Sequence, residues 1–169
     1  MSFNPTSMDE VATYTKSIIA PCDNAQLQVE SIQLLPESTA VKTATGERVV
    51  STLEVYINGT VINHADDSQI GLRPYGDRIK PLDESRSPKK IKADTITCAQ
   101  WTKALLTTDE YTEACALASR KRSDKAKNIS MLEYLQAHCK DRVVTLNVLT
   151  WTKDDGTAGG NNYRNIRRG

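Results

Sequence analysis

The residues that could do chemistry in this chain are few and scattered. His64 stands just before Asp66 and Asp67, but no serine is placed to complete a triad with it. No G-x-S-x-G elbow, P-loop or G-x-G-x-x-G run occurs anywhere. His138 sits beside Cys139 near the expected end of a helix, where an imidazole stabilises the last carbonyls. Asp66-Asp67 and Asp154-Asp155 could each offer a carboxylate pair to Mg²⁺, yet both lie among turn formers and are read as turns. Cys22, Cys98, Cys115 and Cys139 show neither C-x-x-C nor any framework spacing, so they are read as buried or half-buried free thiols. The expectation is a non-enzyme with no catalytic residue, no metal site and no cofactor.

A second kind of chemistry has better support. Single-stranded nucleic acid needs cations along a phosphate track and exposed aromatic rings on which bases stack. Aromatic and cationic residues recur together in two regions. Arg73, Tyr75, Arg78, Lys80, Lys89, Lys90 and Lys92 fall in the middle of the chain. Trp151, Tyr163, Arg164 and Arg167 fall at its end, and Arg48 and Tyr56 on an earlier strand complete the candidate set. Tyr163 or Tyr75 is the expected stacking platform, with Arg164, Arg73, Lys89 and Lys90 on phosphates. The competing assignment for Tyr56 and Trp151 is the core, the commoner fate of a strand aromatic. Trp101 and Tyr111, on helical stripes, are read as core.

The totals of this 169-residue chain fit one ordinary soluble domain: 38% hydrophobic, 25% charged, net charge +1. Charge is unevenly placed. Lys16 stands alone among Asp9, Glu10, Asp23, Glu30 and Glu37, whereas residues 73–92 and 119–128 are strongly basic. Such runs suit an anionic partner or a mutually neutralising surface. There is no signal-peptide pattern and no apolar run long enough to span a bilayer, which points to a reducing compartment, host cytoplasm or virion.

The elements that would position these residues follow from periodicity. Ser7-Met8-Asp9-Glu10 is a capping box, and a helix is expected over Met8–Ala20, stopped by Pro21, as part of an N-terminal arm covering residues 1–24. A first strand over Gln26–Leu35 slips phase near Glu30–Ser31, the mark of a β-bulge. Residues 36–46 read as a loop. A second strand runs to Asn58-Gly59, a hairpin signal that should pair Leu53–Ile57 with Thr60–His64. Residues 65–93, punctuated by Gly71, Pro74, Gly76, Pro81 and Pro88, read as a long basic loop. A helical insertion over 94–141 carries N-cap candidates at Asp94 or Thr95, Thr107 and Ser130. A strand from Arg142 and a return strand at Tyr163–Ile166 make a closing hairpin around the Asp154–Asn162 turn. Clustered strands, helices and closing strands give an α+β fold: a small Greek-key, OB-like barrel over 25–169, with a helical insertion before the last hairpin.

Several runs carry a family resemblance: T-x-x-G-E-R-V-V from Thr43, L-x-x-L-x-x-H-C-K-D-R-V-V from Leu132, W-x-K-D-x-G from Trp151 and N-Y-R-N-I from Asn162. Together they resemble phage-encoded OB-fold single-stranded-DNA-binding or replication-associated proteins, most fully in the last third. The resemblance implies a viral, non-catalytic binder of single strands, DNA in preference to RNA, with low sequence specificity. Proteins of that kind often end in an acidic tail, whereas this chain ends Arg167-Arg168-Gly169. The alternative is a viral structural or assembly subunit acting through protein–protein contacts. Its N-terminal helix would mediate homo-oligomerisation. Neither reading calls for a membrane.

Overall fold

A computed structural model describes residues 16–81 and 86–169, with the backbone alone for 36–43 and 47–52. The fold is α+β. In chain order the described elements are β1 (Lys16–Ser17), β2 (Cys22–Thr43), β3 (Gly46–Asn63), β4 (Arg73–Pro74), β5 (Asp77–Ile79), α1 (Pro88–Leu105), α2 (Thr108–Ser119), α3 (Asp124–His138), β6 (Val143–Thr152) and β7 (Ala158–Arg168). A 3₁₀ turn, Asp67–Gln69, follows β3.

Five strands form one antiparallel sheet in the order β5-β3-β2-β6-β7, while β1 pairs in parallel with β4. Strands β2, β3 and β5 are successive neighbours. The chain then crosses through three helices and returns as β6 beside β2, which is a Greek key. The expected closed barrel is not formed, because β5 and β7 remain edges. Trp101 of α1 stands between them, bonded to Asp77 of β5 and against Tyr163 of β7. Helix α1 packs on β7, and its Trp101, fully buried, meets Tyr163 edge-on at 6.4 Å.

The expected bulge is present. The register steps from Val29 opposite Gly59 to Ser31 opposite Asn58, leaving Glu30 unpaired. The expected turn at Asn58-Gly59 is not, because β3 runs straight through it. Gly59 serves close packing: a Cβ there would lie 2.6 Å from the Gln28 carbonyl oxygen and 2.8 Å from Leu27 Cγ. Buried Asn58 accepts from Lys16 Nζ at 2.6 Å. The true turn joins Thr43 to Gly46, whose φ of +134° favours glycine, so the residues 36–46 read as a loop are mostly strand. β6 pairs with β2 only through Gln28, and β5 pairs with β3 only over Val55–Ile57. The rest of the β2–β3 hairpin extends past the sheet as a two-stranded ribbon.

The basic loop also needs correcting. Ser87 caps α1 with its hydroxyl oxygen accepting from the Lys90 N–H, and Pro88 occupies the first helical position. Lys89, Lys90 and Lys92 are therefore helical, and the N-cap is not Asp94 or Thr95. Helix α1 buries Cys98, Trp101, Thr102 and Leu105, the spacing of one helical face. The Thr107–Glu110 capping box is as expected, with Thr107 N–H donating to Glu110 at 2.9 Å. Helix α3 begins earlier than expected, capped by Ser123, so Ser130 is a mid-helix residue.

The expected N-terminal helix lies outside the described residues over 8–15, and over 16–20 the chain is not helical. Lys16–Ser17 is β1, and Ile19, 1% exposed, enters the core. The Ile19 N–H donates to Asn161 Oδ1 at 2.9 Å, and its carbonyl accepts from Asn161 Nδ2 and Thr150 Oγ1. His64 bonds the Ala20 carbonyl at 2.9 Å through Nε2 and accepts from the Asp66 N–H through Nδ1. Residues 16–24 thus belong to the domain rather than to an arm. Among the described residues no helix is long and apolar enough to cross a membrane.

Candidate nucleic-acid interface

The register of β6 and β7 sets which residues share the open face. Val144, Leu146 and Val148 are buried, so Thr145, Asn147, Leu149 and Trp151 point the other way. Their partners across the ladder are Arg167, Arg164, Asn162 and Gly160. These eight positions hold two arginines, a tryptophan and no carboxylate.

Trp151 is 47% exposed. Its indole lies against the backbone of Gly159 and Gly160, where a Cβ would fall 2.1 Å from Cζ3 and 2.9 Å from Nε1 respectively. Any larger residue at Gly159 would push the ring away. The ring is held on one side by its own hairpin while much of its surface stays in solvent, the arrangement a base-stacking platform needs. Lys153, at the turn, is exposed. Arg164 is exposed and makes no ion pair among the described residues. It stands four residues along the ladder from Trp151, about 13 Å. Arg167 is oriented by the Asn24 side chain and by the Asn165 carbonyl at 2.8 Å.

The other candidates separate cleanly. Tyr163 is not an open platform. It is 7% exposed, its hydroxyl donates to the Tyr75 carbonyl at 3.2 Å, and burial pushes its phenol well above the usual range. Parity explains this, since Tyr163 pairs with inward-facing Val148. Tyr56 is half-buried, with Lys16 Nζ 4.9 Å from its ring centroid and the Gly76 backbone against its edge, so its ring is already engaged. Tyr75, by contrast, is 49% exposed.

The cations of residues 73–80 are mostly spent inside the fold. Arg73 pairs with bulge residue Glu30, which also accepts from Thr60 at 2.5 Å. Arg78 and Lys80 both reach Glu54, a carboxylate only 3% exposed on β3, at 2.9 and 3.7 Å. Arg86 pairs with Asp94. A buried carboxylate needs such partners, so these cations neutralise the protein itself. Lys89, Lys90 and Lys92 are exposed on α1. Arg48 lies on β3 opposite Val41, with its side chain outside the described residues.

No arrangement for catalysis emerges among the described residues. Burial pushes the Cys98 thiol up to about 12, reinforced by Asp77 and Asp94, which leaves it a poor nucleophile. Burial also raises Cys139, and Cys115 alone of the four cysteines is exposed. No group of three or more His, Cys, Asp or Glu side chains among the described residues is placed to hold a metal ion. The feature hardest to foresee was the glycine bed under Trp151, whose only trace in the sequence is Gly159-Gly160 beyond a short turn. Compared with family models, with curated proteins and with solved structures, the chain matches none.

Proposed function

We propose that this protein is a non-catalytic single-stranded nucleic-acid-binding protein, and that its domain is an OB-type Greek-key barrel left open between β5 and β7. The order β5-β3-β2-β6-β7, with helices inserted between β5 and β6, supports the fold assignment. The observation that carries the function is the open face of β6–β7, with Trp151 bedded on glycine, Arg164 about 13 Å along the same face with no ion pair among the described residues, and no carboxylate at the matching positions. Bases stack on the indole, and phosphates run along Lys153, Arg164 and Arg167. Stacking takes any base, so the expected specificity is low. Titration of a labelled oligo-dT across salt concentrations tests this. Binding at about 50 mM salt that weakens linearly on a log–log plot supports it, and absence of binding there contradicts it.

One observation favours a second function, assembly with copies of itself. From Leu35 to Glu54 the β2–β3 ribbon pairs only with itself, leaving both edges open among the described residues. Open edges template strand pairing between chains. Light scattering separates the two readings: a monomer whose mass shifts on adding oligonucleotide favours binding, and a closed ring indifferent to it favours assembly.

A further inference from the structure

The two basic runs of the sequence meet different fates. The first is largely neutralised by Glu30, Glu54 and Asp94. The second, around the α2–α3 corner, is not. Arg120, Lys121 and Arg122 are exposed, Lys125 and Lys127 are half-buried, and none of the five has an ion-pair partner among the described residues.

Helix electrostatics account for only part of this cluster. Arg120 and Lys121 follow the carboxyl end of α2, where cations are favoured. Lys125 and Lys127 lie in the first turn of α3, where the dipole opposes them and only Asp124 offsets them. Five like charges within eight residues repel one another, offset only in part by Asp124 among them and by Glu133 of α3, which lines one surface hollow with Arg120 and Lys121. No exposed aromatic joins them. Tyr134, the nearest ring on α3, is buried, stacks on His138 at 4.0 Å and gives its hydroxyl to Glu113 at 2.7 Å. The corner therefore offers charge without a stacking surface.

Lys89, Lys90 and Lys92 add to the same layer. Thr95 of α1 and Asn128 of α3 line one cavity. That keeps the two amino-terminal turns within roughly 25 Å of each other. Both turns carry lysine, and α1 has no acidic residue in its first turn.

We propose that Arg120, Lys121, Arg122, Lys125 and Lys127 form a phosphate-only contact surface, distinct from the Trp151 face, which holds the backbone of a polyanion irrespective of its bases. For a nucleic acid ligand this rests on the function proposed above, with the strand running on from the stacking face to the helical layer. The surface itself requires only a chain of phosphates.

The test uses inorganic polyphosphate, which has no bases, alongside oligo-dT, with wild type, R120Q/K121Q/R122Q and W151A. Wild type should bind polyphosphate. The triple variant should lose on the order of a hundredfold at about 50 mM salt, with a salt slope shallower by about 2. W151A should bind polyphosphate like wild type. The triple variant should melt close to wild type, because the repulsion it relieves offsets the favourable interaction of Arg120 and Lys121 with the carboxyl end of α2. Polyphosphate binding with no oligo-dT binding would sink the proposed function and leave the surface standing. No polyphosphate binding by wild type, or an unchanged slope in the folded triple variant, overturns the surface.

Discussion

The indole N–H of Trp101 donates to Asp77 Oδ2 at 2.8 Å, tying the longest described helix to β5, the shorter edge of the five-stranded sheet. This bond stands where the sheet fails to close. Trp101 fills the gap between β5 and β7 and brings its polar atom with it, so β5 must supply an acceptor. The carboxyl of Asp77 is enclosed even though the residue is half-buried, and burial pushes it up to about 6. The Trp101 bond opposes that rise and the neighbouring Asp94 adds to it.

A pH dependence follows. In the folded state the Asp77 carboxyl holds its proton up to about 6, against about 3.9 in an unfolded chain. Between those values the folded state binds more protons, so this contribution to stability is full below about 4 and lost as pH rises to about 6. Asp77→Asn keeps an acceptor for Trp101 and removes the titration. At pH 7 the variant should be more stable than wild type by about 2 kcal/mol, and at pH 4 the difference should vanish. Urea melts at both pH values check this.

Glu110 carries the opposite sign. Its carboxylate takes Arg142 in two parallel bonds of 2.5 and 2.8 Å and is held down to about 2, first by Arg142 and then by the Thr107 N–H. Its contribution is present above about 4.5 and lost as pH falls toward 2. Glu110→Gln should flatten the acid limb of the stability profile and leave the limb between pH 4 and 6 unchanged. Arg142 also donates to the Leu105 carbonyl at 2.8 Å, so Arg142→Ala should cost more than Glu110→Gln at pH 7.

Much of this architecture was legible from local pattern. The phase slip at Glu30 is the bulge, and the α2 cap reads directly from Thr107-Thr108-Asp109-Glu110. Asn58-Gly59 misled because the same dipeptide that permits a tight turn also permits close strand packing, and only the tertiary partner Gln28 decides which. Lys16, which meets Asn58 across 42 residues, is equally invisible from the chain. The site shows the same division. That Trp151 and Arg164 lie on one closing hairpin was readable, whereas the exposure of Trp151 and the burial of Tyr163 depended on a β6–β7 register that includes two irregular steps.

Gly59→Ala tests the corrected hairpin. The added methyl meets backbone on one side, which cannot swing away as a side chain can. The expected loss is about 2–4 kcal/mol, larger than a turn glycine would give, and thermal or denaturant melts measure it. A loss below about 1 kcal/mol would contradict the close approach of Gln28 and Leu27 to Gly59.

Glycine under the indole is a separate matter. Gly159→Val should displace the ring from its bed without touching Lys153, Arg164 or Arg167. Affinity for oligo-dT should fall while the salt slope stays the same, since no phosphate contact is lost.

Trp151 is the central claim, and its own fluorescence tests it most directly. The chain has two tryptophans, and Trp101 is fully buried, so quenching by an added oligo-dT reports on Trp151. The account predicts saturable quenching in wild type, none in Trp151→Phe, and a loss of about 1–3 kcal/mol of binding in Trp151→Ala. Oligonucleotide binding of unchanged affinity in Trp151→Ala, with wild-type emission unaffected by the ligand, would contradict it.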